Sequence, residues 1–82
     1  MKNNKPSRLG FLKRDESANI TGIAKDCQRE VRQRLLDLGF VNGAEIHVQN
    51  RSPLGDPIAY CLHGTLISLR KKDALHVLIS CK

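Results

Sequence analysis

The stretch Arg34-Leu35-Leu36-Asp37-Leu38-Gly39-Phe40-Val41-Asn42-Gly43-Ala44-Glu45-Ile46-His47-Val48 decides the fold, because the apolar period changes inside it. Counting back from Leu38, the residues Leu35, Val31 and Cys27 recur at three- and four-residue steps and share one side of a helix. Gly39 stands where a helix ends in a left-handed residue, which glycine adopts without steric cost. Asn42-Gly43 supplies a turn, and beyond it Ile46 and Val48 alternate with Glu45, His47 and Gln49 as in a half-buried strand. A helix, a tight turn and a strand therefore follow one another here, and the rest of the chain must cover their apolar sides.

On the N-terminal side, the helix is expected over 27–38 with Asp26 as its N-cap; Arg29 at the third helical position rules out a capping box. Residues 18–24 read as a strand whose Gly22 marks a bulge or a close approach. Leu9, Phe11 and Leu12 are expected as apolar anchors in a short turn, followed by a charged loop over 13–17. Residues 1–8 are polar and basic and are expected to form a flexible tail ahead of a domain over 9–82. On the C-terminal side, strands are expected at 44–50, 58–62, 65–69 and 75–80. A His63-Gly64 turn joins the middle pair, and a helical turn covers 70–74. Five short strands and one inserted helix define a mainly β chain folded as a small, strongly bent barrel.

Composition sets limits on function. The 82 residues are enough for one domain. With no Trp, two Phe and one Tyr, the core is expected to be aliphatic. Such a core leaves little room for a deep catalytic cleft. No apolar run is long enough to span a bilayer, and no signal-peptide apolar region follows the N-terminal lysines, so a cytoplasmic chain is expected. Three cysteines, Cys27, Cys61 and Cys81, form no C-x-x-C pair and read as reduced thiols. A net charge of +6, from 14 basic and 8 acidic residues, favours a negative partner: nucleic acid, an anionic membrane face or an acidic protein.

No set of residues carries catalysis. No cysteine has a base and an orienting group assigned to it, no glycine-rich phosphate loop is present, and no carboxylates pair for acid/base work. Cys61 and His63, two apart in a strand, share a face, but zinc takes three or four ligands and no second close pair exists. No metal site, cofactor or catalytic residue is assigned.

Three surface features remain. Arg29, Arg32 and Leu36 lie opposite the apolar stripe of the helix and form either a docking face or a solvated one. Arg70-Lys71-Lys72 is a basic cluster without interleaved aromatics. Leu54 sits in Arg51-Ser52-Pro53-Leu54-Gly55-Asp56-Pro57, where two prolines restrict the loop. It is either a contact residue flanked by Arg51 and Asp56 as polar rim, or a plug over the barrel mouth.

The chain resembles the FeoA family. The resemblance rests on Arg34-Leu35, Leu38-Gly39-Phe40, Gly43-Ala44, Pro53-Leu54-Gly55-Asp56-Pro57-Ile58, Ser68-Leu69-Arg70 and Ala74, in order and at matching spacing from about Leu9 to Ile79. It implies a Src-homology-3-like barrel with an inserted helix. It also implies a non-enzymatic accessory role in bacterial ferrous iron uptake, by association with FeoB, the permease that carries a cytoplasmic GTP-binding region. The anionic membrane surface would then lie close by, and the chain would be peripheral to the inner membrane through its partner. Partner contacts are expected among Arg51, Leu54, Asp56, Arg29, Arg32, Leu36, Arg70 and Lys72. The alternative is a small basic barrel that binds nucleic acid through Arg29, Arg32 and residues 70–72.

Overall fold

The computed structural model describes residues 8–51 and 53–81, with the side chains of Arg51 and Cys81 outside the description. A 3-10 turn over Leu9–Phe11 leads to β1 (Ser17–Ile23), α1 (Arg29–Leu38), β2 (Glu45–Arg51), β3 (Ile58–Leu62), β4 (Thr65–Leu69), α2 (Lys71–Ala74) and β5 (Val77–Cys81). The strands form one antiparallel sheet in the order β4-β3-β2-β1-β5, so the last strand returns beside the first.

The junction at Gly39 is built as its sequence demands. Gly39 has φ 106°, in the left-handed region. Its N–H donates to the Leu36 carbonyl, and the Phe40 N–H reaches back to the Leu35 carbonyl, both at 3.0 Å. These two bonds are the Schellman pattern, in which two orphan helix carbonyls are satisfied at once. Leu35 and Phe40, the two positions that the pattern sets on its apolar side, are both fully buried in the core. The pattern brings Phe40 into the barrel and leaves Leu38 40% exposed, so the expected stripe is correct for Cys27, Val31 and Leu35 and ends there.

Several other expectations need correction. The helix begins at Arg29 with Gln28 as its N-cap and no side-chain cap bond; Asp26 falls in the preceding turn, where the Cys27 N–H bonds the Ala24 carbonyl at 3.1 Å. That turn is needed to bring Cys27 inward, since Ala24 is itself held by the His76 carbonyl at 2.7 Å. The core is not purely aliphatic: Tyr60 and Phe40 are its largest fully buried side chains, amid Ile20, Ile46, Ile58, Leu62 and Val48. Phe11 is exposed while Leu9 and Leu12 are buried, because a three-residue turn aims only part of its side chains inward. Arg8 belongs to the fold, bridging Leu78 and donating from Nη1 to the Leu75 carbonyl at 3.0 Å; residues 1–7 lie outside the described ones. The Gly22 irregularity is present as a register shift between Ile20 and Gly22 along β5.

Candidate partner-binding surface

The loop before β3 and the start of α2 are tied together. The Asp56 carboxylate accepts the Lys71 N–H at 2.8 Å. An unsatisfied N–H at a helix start is a strong donor, and a carboxylate beside it also faces the positive end of the backbone dipoles. Asp56 therefore serves as a fastener between loop and helical turn as well as lying on the surface. Asp56, Pro57, Ser68 and Arg70 line a recess of ≈ 360 Å³ at this joint. The Asp56 bond thus joins the loop that carries Leu54 to the start of the 70–72 cluster, features that stand apart in the sequence.

Leu54 itself is 93% exposed, so it does not plug the barrel mouth. Arg70, Lys71 and Lys72 are all exposed. Arg51 ends β2, paired with Ile58, and its side chain is outside the described residues. On α1, Arg29 and Arg32 are exposed and Leu36 is half-buried, so that face presents two arginines without the fully outward leucine expected of it. The two helices are linked: Arg34 Nη2 donates to Asp73 Oδ2 at 2.9 Å, with Asp73 buried and Arg34 largely open to solvent. Near the same joint, burial pushes the Cys27 thiol above its ordinary value of 9.0; Asp26 and Asp73 add to the rise and Arg32 opposes it.

Cys61 and His63 line one recess, but they do not share a strand face as expected. β3 ends at Leu62, and His63 is the first residue of the turn, with φ 54°. A left-handed residue leaves the strand alternation, and the imidazole lies toward Gly39, where an added Cβ would stand 3.6 Å from His63 Cδ2. The direct neighbour of Cys61 is instead His47, its partner across the β2–β3 ladder. His47 Nδ1 is 2.8 Å from Ser17 Oγ. Glu45, His47, Cys61 and His63 line an open recess of ≈ 300 Å³, yet among the described residues no three or more His, Cys, Asp or Glu side chains are placed to hold a metal ion. Among them, too, no helix is long and apolar enough to cross a membrane.

A five-stranded antiparallel barrel with a helix inserted between its first two strands is a small Src-homology-3-like module. Residues 7–81 match the FeoA domain, and the chain belongs to the FeoA family. A stretch of 46 residues, 56% of this chain, is 41% identical to the Fe(2+) transport protein A/Fe(2+) transporter FeoB fusion protein of Porphyromonas gingivalis. It spans only 6% of that much longer protein. The FeoA-like protein of Clostridium acetobutylicum is 33% identical, with TM-score 0.83 over 96% of this chain and 90% of that one. The FeoA of Stenotrophomonas maltophilia, solved with zinc and described as a prokaryotic SH3-domain protein, is 26% identical, with TM-score 0.80 over 92% of this chain and 91% of that one.

Proposed function

We propose that this chain is a non-enzymatic adaptor of ferrous iron uptake that docks on the cytoplasmic part of a FeoB-type permease. The observation that carries the reading is the fusion protein of Porphyromonas gingivalis, in which a domain similar to this one is joined to the permease in a single polypeptide. Domains joined covalently in one organism and separate in another often work at the same place, because fusion replaces binding by a high effective concentration. The chemistry of the surface is compatible with that role. Leu54 offers an exposed apolar anchor on a loop that Asp56 fastens to α2, so little entropy is lost when the loop is covered. Arg70, Lys71 and Lys72, at the helical turn to which that loop is fastened, supply charge for orientation and for work near an anionic leaflet, where each basic residue contributes ~1 kcal/mol.

In this reading the chain is cytoplasmic and peripheral to the membrane through its partner. The test is a pull-down with the isolated cytoplasmic region of the permease, with and without guanine nucleotides, followed by a salt titration against duplex and single-stranded nucleic acid. Retention of the permease region with negligible nucleic-acid binding at physiological salt is expected. Nucleic-acid affinity that falls steeply with salt, without retention of the permease region, would instead support the basic-barrel alternative.

A further inference from the structure

The two edges of the sheet are treated differently. Beside β5, Arg8 bridges Leu78 and its side chain bonds the Leu75 carbonyl, so that edge is partly covered by the chain itself. The other edge is β4, which among the described residues pairs with β3 alone. Its sequence, Thr65-Leu66-Ile67-Ser68-Leu69, contains no charge and no proline. Its register with β3 runs unbroken from Leu62↔Thr65 to Ile58↔Leu69, with no bulge. Charge, proline and bulges are the devices by which proteins keep an edge from pairing, and β4 carries none of them.

The hairpin fixes which backbone groups are free to bond. A two-residue turn, His63-Gly64, closes on Leu62↔Thr65, so that pair exchanges both of its hydrogen bonds. Alternation then turns the N–H and C=O groups of Ile67 and Leu69 inward to β3 and those of Leu66 and Ser68 outward to the open edge. Leu66 is 65% exposed, an apolar side chain beside those outward groups. Immediately beyond the strand stand the exposed Arg70, Lys71 and Lys72.

We infer that the β4 edge receives an extended segment of a partner protein by strand addition, the segment lying antiparallel to β4 as in every other ladder of the sheet. Such a segment sets an apolar side chain beside Leu66. Its N-terminal end runs past Ser68 toward residues 70–72 and is acidic. The net charge of +6 favours an acidic partner over a second copy, which would bring like charge to like. The inference deepens the docking proposal and rests on it, with the permease cytoplasmic region as the partner.

The probe is that isolated cytoplasmic region, titrated against the full chain, with amide hydrogen exchange read residue by residue. Exchange at Leu66 and Ser68 is expected to slow at least tenfold on binding, while Thr65 and Ile67, already in the ladder, change little. Ser68→Pro removes an outward donor and leaves the β3 bonds in place; it is expected to weaken binding about fivefold to tenfold, the worth of one lost hydrogen bond. Leu66→Lys, which requires no backbone change, is expected to weaken it as well. Wild-type affinity in both variants, or unprotected Leu66 and Ser68 amides in a complex that does form, overturns the edge inference and leaves the docking proposal standing. No complex with the wild-type chain sinks both. Sedimentation that shows a dimer dissociated by Ser68→Pro assigns the edge to a second copy and also overturns the inference.

Discussion

Replacing Gly39 tests the junction on which the fold turns. At φ 106° an L side chain meets its own backbone, a cost of ~1–2 kcal/mol for an ordinary residue and more for a β-branched one. Packing adds little, since a Cβ built there would lie 3.4 Å from Leu62 Cδ2 and 3.6 Å from His63 Cδ2, both ordinary contacts. For Ala the penalty is therefore almost purely conformational; Asn is expected to be milder, because it tolerates the left-handed region, and Val the largest, because its branch adds strain and two methyl groups beyond the Cβ. For Gly39→Val a loss of about 2 kcal/mol or more corresponds, in a domain of this size, to a fall in Tm of about 8–16 °C. Thermal and urea unfolding followed by circular dichroism measure it, with the m-value as a check that the unfolded state is unchanged. Gly10→Ala serves as a contrast, because there a Cβ would stand 2.6 Å from Leu75 Cδ2 and any penalty is steric. A Gly39→Val protein that melts with the wild type would refute the left-handed helix end, and with it the Schellman account of how Phe40 enters the core.

Leu54→Asp is expected to leave the fold intact by circular dichroism and to weaken association with the permease cytoplasmic region at least tenfold, because a buried leucine anchor contributes ~1.5–3 kcal/mol; an unchanged isotherm moves attention to Arg29 and Arg32 on α1. Arg70→Glu with Lys72→Glu should do less, with an effect that shrinks as salt rises. Since folding raises the Cys27 pKa, the folded state holds the thiol proton where the unfolded chain has released it, so the contribution of this thiol to stability is constant below about pH 9 and declines above it; Cys27→Ala should remove that part of the decline in urea midpoints measured from pH 8 to 10.5. Calorimetry with the monomer should show no one-to-one ferrous iron or zinc site tighter than ~1 µM, and a tight site abolished by Cys61→Ser would show that His47 and Cys61 recruit further ligands.

The strands at 58–62 and 65–69 were legible to the residue because alternation and a two-residue turn act on the same few positions. The C-terminal end of α1 was legible for a similar reason: one glycine and one change of period mark it. The N-terminal end was not. Asp26 has the right chemistry for a cap, but the tertiary demand to bury Cys27 postpones the helix to Arg29. Ladder register is not written in either strand alone, which is why the sequence does not place His47 beside Cys61. The role of Asp56 was hidden in the same way, because its partner is a backbone N–H fifteen residues further along the chain.

The bridge between Arg8 and β5 has a consequence for how this domain can be combined with others. Arg8 lies opposite Leu78, so the first described residue stands beside the strand that ends at Cys81. Ladder partners are about 5 Å apart and a strand rises about 3.3 Å per residue, so Arg8 and Cys81 stand on the order of 10 Å apart, a span that a few residues of linker can cross. The barrel is therefore suited to circular permutation, and equally to insertion into a surface loop of a host protein, whose two cut ends would hardly have to separate. Covalent joining to a large transporter asks no more of the fold than this.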